Sequence, residues 1–248
     1  MDLSEKMNQE MARRLVELLD LASEPVAITY SDHPDDEGGR EGRYVCVAVK
    51  HAFKGKTVNL SRKSVVCVGG IHWLGFMDLQ EMLVAFLVWL EQSFVDSDAC
   101  RRWFRSTPTP PFGKAEYVVL KPLARCEETP DLVALLVNAG QAEAVQGLLT
   151  FRDAEFIMPQ RFASTCQGTI TNPLATGAPS FCLPDAVSRK FAKFTDNDII
   201  ISMPYPFAEE MVNNIDGWDV DIDALFRQIV KLNRGGRVPE GNDGAATP

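Results

Sequence analysis

The chain has 248 residues and a net charge of −9, an acidic excess that opposes both nucleic-acid backbones and anionic membrane surfaces. Hydrophobic residues at 46% and charged residues at 24% describe an ordinary globular protein, long enough to bury a core without disulfides. No apolar run reaches the roughly 18 residues of a membrane span, and the start Met-Asp-Leu-Ser-Glu-Lys lacks the basic-then-apolar plan of a signal peptide. The expectation is a cytoplasmic protein with no nucleic-acid or membrane partner, whose six cysteines are reduced thiols, metal ligands or reactive groups.

Residues 4–21 read as an amphipathic helix, with Met7, Met11, Leu15, Leu18 and Leu19 on one face. Glu24-Pro25 stops it, and residues 26–30 read as a strand rich in β-branched and aromatic side chains. A polar loop over 31–42 follows, then a helix over 43–53 ended at Gly55 and a short strand at 57–60. Asp78 is expected to cap a helix running to residue 94. That helix is apolar nearly all round, which suits a buried core helix or the interface of a homo-oligomer.

A short helix is expected from Ser97 through Phe104. Pro108, Pro110 and Pro111 make 106–113 a loop and the best candidate for an internal boundary. Strands are expected at 115–120 and 132–138, the second apolar enough to be central, and helices at 140–151, 184–194, 206–214 and 222–232. Residues 198–203 read as a strand, 163–174 fit no single pattern, and 233–248 read as a disordered tail. Together these elements predict one α/β domain over 1–232, or a mixed α+β one, with a central sheet covered by helices.

The densest chemistry lies in residues 64–76, Ser-Val-Val-Cys-Val-Gly-Gly-Ile-His-Trp-Leu-Gly-Phe. Cys67 precedes Gly69 and Gly70, which permit restricted backbone conformations and close approach by a ligand. A helix starting near Ile71 would turn its first amides toward a thiolate or a cofactor. His72 is a candidate base or ligand; the plainer reading is a packed, hydrogen-bonded histidine beside Trp73. No Cys-x-x-Cys pair occurs, and the Cys46/His51 and Cys67/His72 spacings put each pair about 140° apart on a helix, so one face cannot hold both for zinc. Cys166 and Cys182 lie in turn-rich polar surroundings, whereas Cys100 and Cys126 look incidental.

Cys46, then Cys67-Val-Gly-Gly with Trp73-Leu-Gly-Phe, resembles the uncharacterised prokaryotic family called domain of unknown function 169. The resemblance spans residues 7–232, and includes Glu24-Pro25-Val26-Ala27-Ile28 and the segment 135–147. It implies that Cys46, Cys67 and Cys182 occupy motif positions. The run after Cys182 departs from the family pattern, which makes Cys166 its competitor. The family brings no established activity.

Three readings follow. Cys46, Cys67 and Cys182, with Cys166, converge on an iron–sulfur cluster or another soft metal, with Gly69 and Gly70 presenting amides to it. Alternatively the protein is a small-molecule enzyme or binding protein that uses Cys67 as a thiolate near His72. In the third reading it is a non-catalytic interaction module in which these residues only pack.

Overall fold

A computed structural model describes residues 3–35, 39–151, 162 and 164–215. The helix expected at 222–232 and the tail at 233–248 lie outside the described residues.

A sheet of seven strands organises the domain, in the order β2-β3-β4-β1-β5-β7-β6. The strands are β1 (Val26–Ser31), β2 (Arg40–Glu41), β3 (Val58–Ser61), β4 (Tyr117–Pro122), β5 (Leu132–Val137), β6 (Ser180–Cys182) and β7 (Ile199–Pro204). Every pairing is antiparallel except that of β2 with β3. The two strands in the middle, β1 and β5, are the apolar runs that pattern alone had marked as strands. The loop 106–113 leads into β4, which pairs with β3 and β1 from before it.

Alternation along each strand feeds two hydrophobic layers. Ile28, Leu120, Ala134 and Ile200 face one layer, and Ala27, Val133, Leu135 and Ile201 face the other. The second layer is closed by α1 (Leu3–Leu19), α6 (Ala139–Thr150) and α9 (Tyr205–Asn214), which bury Leu15, Leu148 and Met211. Asn138 and Gln141 form a capping box at the start of α6, and the Gln141 amide reaches on to the carbonyls of Leu19 and Asp20. The first layer is closed by α2 (Val45–Phe53), α3 (Val68–Trp73), α4 (Gln80–Ala85), α5 (Ser97–Arg105), α7 (Asn172–Thr176) and α8 (Ala186–Ala192). The result is the single compact mixed domain, a sheet covered by helices, that the element pattern predicts.

Two details differ from expectation. The helix expected over 78–94 is α4 followed by a π-helical turn, Phe86–Leu90, and it is not buried all round. Leu83, Val84, Leu87 and Val88 are buried, but Trp89 is 73% and Leu90 76% exposed. The ambiguous segment 163–174 is helical where described, with a second π-helical turn, Gln167–Thr171, leading into α7. Its side chains Thr165, Gln167, Thr169 and Thr171 are buried polar groups, which is why no apolar periodicity marks it.

Candidate functional site

The segment 64–76 turns out to be a connector from β3 to α3. Cys67 stands at the N-cap of α3 in extended conformation, so the helix starts at Val68, three residues before the expected Ile71. Gly69 and Gly70 lie inside that helix, and neither adopts the left-handed region; in this segment only Gly75 does, at φ 77°. Their glycine identity has a packing origin. A Cβ on Gly70 would stand 2.6 Å from the Cys67 sulfur, 2.6 Å from a Val45 methyl and 2.9 Å from a Val65 methyl. A Cβ on Gly69 would meet Trp73 and Leu83 at 3.8 and 3.9 Å, ordinary van der Waals contact that leaves room for it. The hydroxyls of Tyr30 and Thr171 donate to the carbonyls of Leu74 and Trp73, satisfying the end of α3.

Beside Gly69 and Gly70 lies a cavity of about 580 Å³ between α2, α3, α4 with its π turn, and α8. Its volume falls in the range of small-molecule sites, and its wall is mostly apolar. Cys46 from α2, Cys67 and Cys166 all line it, although 120 positions separate the first from the last. Both Gly69 and Gly70 line it as well. The two π-helical turns flank the same space: Phe86 and Leu87 of the first line it, and Cys166 immediately precedes the second. Such turns are rare and recur at functional sites.

Burial pushes the Cys46 thiol above its ordinary value, although the nearby Ser188 hydroxyl works the other way. Burial also pushes Cys166 well up, and Cys67 beside it adds to the rise. The Ser164 hydroxyl sits 3.2 Å from the Cys166 sulfur. These two wall groups are therefore neutral thiols at neutral pH.

Asp185 supplies a carboxylate to the wall and caps α8. One oxygen accepts from the amide and hydroxyl of Thr165 at 2.7 and 2.8 Å and from the Ser188 hydroxyl at 2.8 Å. The other accepts from the Ser188 amide at 2.7 Å. All four donors are uncharged. Glu91 also lines the cavity, and no lysine, arginine or histidine among the described residues does.

The remaining sequence candidates lie elsewhere. His72 is 2% exposed and does not line the cavity. Its Nδ1 accepts the Leu79 amide at 3.1 Å, and its ring packs edge-on against Trp73, Phe104 and Phe112. It is the packed histidine of the plainer reading. Cys182 is not in a polar turn but in β6, fully buried, with its thiol pushed up to about 12 by burial. It packs against Gly168, where a Cβ would meet its sulfur at 2.6 Å, and it does not line the cavity. Cys100 and Cys126 are likewise fully buried core thiols.

Among the described residues no group of three His, Cys, Asp or Glu side chains is placed to hold one metal ion. Of the four cysteines expected to converge, Cys46, Cys67 and Cys166 share the cavity and Cys182 belongs to the core. Tyr44, Phe86, Asp185 and Phe191 are cavity residues that sequence reasoning passed over. Only the Asp185-to-Ser188 capping pattern carried a local signal, and it marks a helix start rather than a site.

The model of one protein family, domain of unknown function 169, described as Uncharacterised ArCR, matches residues 14–214. No curated protein and no solved structure matches the chain. No helix among the described residues is long and apolar enough to cross a membrane.

Proposed function

Because the chain belongs to the family of domain of unknown function 169, which is described only as uncharacterised, we propose a function from the cavity alone: the protein binds a small, largely apolar organic molecule between α2, α3 and α8, in contact with the thiols of Cys46, Cys67 and Cys166. One observation carries this reading. Side chains from five separate stretches of chain surround an apolar space of about 580 Å³. Spaces of about 550 and 640 Å³ occur elsewhere on the surface, and this one differs from them in its largely apolar wall and its three thiols.

Cys67 is the thiol best placed to touch a ligand, since it is half-buried and begins the helix that forms the floor. No histidine or lysine among the described residues lines the cavity to take its proton, so the geometry favours binding over nucleophilic catalysis.

The test is a cavity-filling variant combined with thiol mapping. Gly69→Leu adds bulk at a residue that lines the cavity, with no clash at Cβ. A panel of small apolar compounds screened by thermal shift should yield stabilising ligands for the natural protein and none for Gly69→Leu. The same ligands should slow iodoacetamide labelling of Cys46 and Cys67, read by mass spectrometry. Compounds that stabilise both proteins equally, with no change in labelling, would refute the proposal.

A further inference from the structure

The cavity does not end at its own wall. A second space of about 300 Å³ adjoins it, and Glu91 and Asp185 line both. Three stretches of chain pass from one space to the other. Phe86 and Leu87 line the larger space, and Phe94, just beyond Glu91, lines the smaller. Cys166 lines the larger and Phe162 the smaller. On α8, Ser188 and Phe191 line the larger, while Ala186 and Arg189 line the smaller. An aromatic contact spans the same junction. Trp73 of the larger space packs edge-on against Trp103 of the smaller, with ring centroids 6.2 Å apart. The two spaces are therefore successive parts of one groove.

Polarity changes along that groove. The larger space has a mostly apolar wall, and two of its polar side chains, Thr165 and Ser188, donate their hydroxyls to Asp185 at the junction. The smaller space adds the Ser93 hydroxyl and the Arg189 guanidinium to the two shared carboxylates. Asp196, the carboxylate partner of Arg189, is 3.6 Å away and 94% exposed, so that pair holds the guanidinium only weakly. A polar head lying here keeps hydrogen-bond donors and acceptors around it. In the apolar part of the groove it would lose water without replacement.

We propose that the two spaces form one site for an amphiphile, whose apolar body lies over α3 in the larger space and whose hydrogen-bonding head lies in the smaller, beside Glu91 and Arg189. The inference rests on the binding function proposed above. Ala186, small and exposed at the start of α8, sets the room for the head.

The experiment maps occupancy of both spaces in the full chain carrying Ala186→Cys, which puts a thiol on the wall of the smaller space. The probes are toluene, an apolar body without a head, and octyl glucoside below its micellar concentration, which adds a neutral hydroxylated head. Iodoacetamide labelling is read by mass spectrometry. At about ten times its dissociation constant, either probe should slow labelling of Cys46 and Cys67 about tenfold, the fraction of sites left empty. Only octyl glucoside should slow labelling of the introduced thiol to the same degree. In a second variant, Ala186→Trp, octyl glucoside should bind about tenfold more weakly, the worth of one to two buried methylenes, while toluene binds as before. Gly69→Leu should weaken both probes.

If both probes protect Cys46 and Cys67, but octyl glucoside leaves the introduced thiol fully reactive or toluene protects it equally, the amphiphile reading is wrong and the binding reading stands. If neither probe protects Cys46 and Cys67, or if octyl glucoside protects only the introduced thiol, both are wrong.

Discussion

Gly70 and Cys67 face one another across the first turn of α3 so closely that a methyl group on the glycine would lie 2.6 Å from the sulfur. Two valine methyls, from Val45 and Val65, close the same spot from other directions. Gly70→Ala should therefore cost about 1–3 kcal/mol through overpacking, against a helix-propensity gain of about 1 kcal/mol. Gly69→Ala, one residue away, meets only ordinary contacts at 3.8 and 3.9 Å and should be neutral or stabilising by up to about 1 kcal/mol. Urea unfolding of the two variants checks this. Equal stability of both would show that the backbone relaxes and that Gly70 is not a packing requirement.

Lys50 on α2 reaches Asp198 at 2.9 Å and lies over the Phe194 ring at 4.5 Å, tying the helix that carries Cys46 to the turn before β7. Burial works to raise the Asp198 pKa, but the Lys50 ammonium and the Thr195 amide and hydroxyl outweigh it, so the carboxyl titrates below 3.8. A depressed carboxyl contributes stability that is present above its unfolded pKa of 3.8 and lost as pH falls through the lower folded value. Asp198→Asn should cost about 1–3 kcal/mol at neutral pH and should flatten the acid limb of the stability curve below pH 3.8. An unchanged acid limb in the variant would contradict the assignment.

His72 titrates in the opposite sense to a paired histidine. Burial lowers its pKa below 6.5, with Asp78 only partly opposing. The unfolded chain then takes up a proton that the native protein refuses, so stability is lost as pH falls below 6.5. His72→Phe should remove that dependence while costing about 1–3 kcal/mol for the Leu79 amide left without its acceptor. Binding in the cavity should be unaffected, because His72 does not line it. A loss of binding with retained stability would return His72 to a functional role.

The thiols should sort into two groups under native alkylation. Cys46 and Cys67 are half-buried, while Cys100, Cys126 and Cys182 are fully buried. Iodoacetamide should label the first two in the folded protein and the other three only after unfolding. Labelling of Cys46 should accelerate steeply toward and beyond pH 9.0, since burial raises its pKa above that value and the thiolate is the reacting form. Prior labelling of Cys182 in the native state would contradict its placement in β6.

Most of the fold was readable because it is written locally. The 3.6-residue pattern of Met11, Leu15 and Leu19 and the apolar run Leu132–Val137 need no partner to be recognised. The misses are features without local period. β6 is only three residues long and β2 only two, and their identity as strands depends on the neighbours they pair with. A π turn such as Phe86–Leu90 has the composition of ordinary helix, and it sent Trp89 and Leu90 outward where the apolar run implied burial.

The site was half legible. Cys67 stands out by its glycine-rich context and Cys46 by the family resemblance, but the resemblance groups Cys182 with them, and cysteine identity does not distinguish a cavity wall from a core. The cavity itself joins residues from Tyr44 to Phe191, a relationship that only the tertiary structure expresses.

That long reach has a consequence for the life of the protein. Walls drawn from α2, α3, the Phe86 turn, the Cys166 segment and α8 exist only when the whole domain is closed. An occupant therefore binds the folded chain and not the unfolded one, and at a hundred times its dissociation constant it would add about 2.7 kcal/mol to global stability. In a cell where unfolded molecules are degraded, the amount of this protein would then rise and fall with the supply of the proposed ligand.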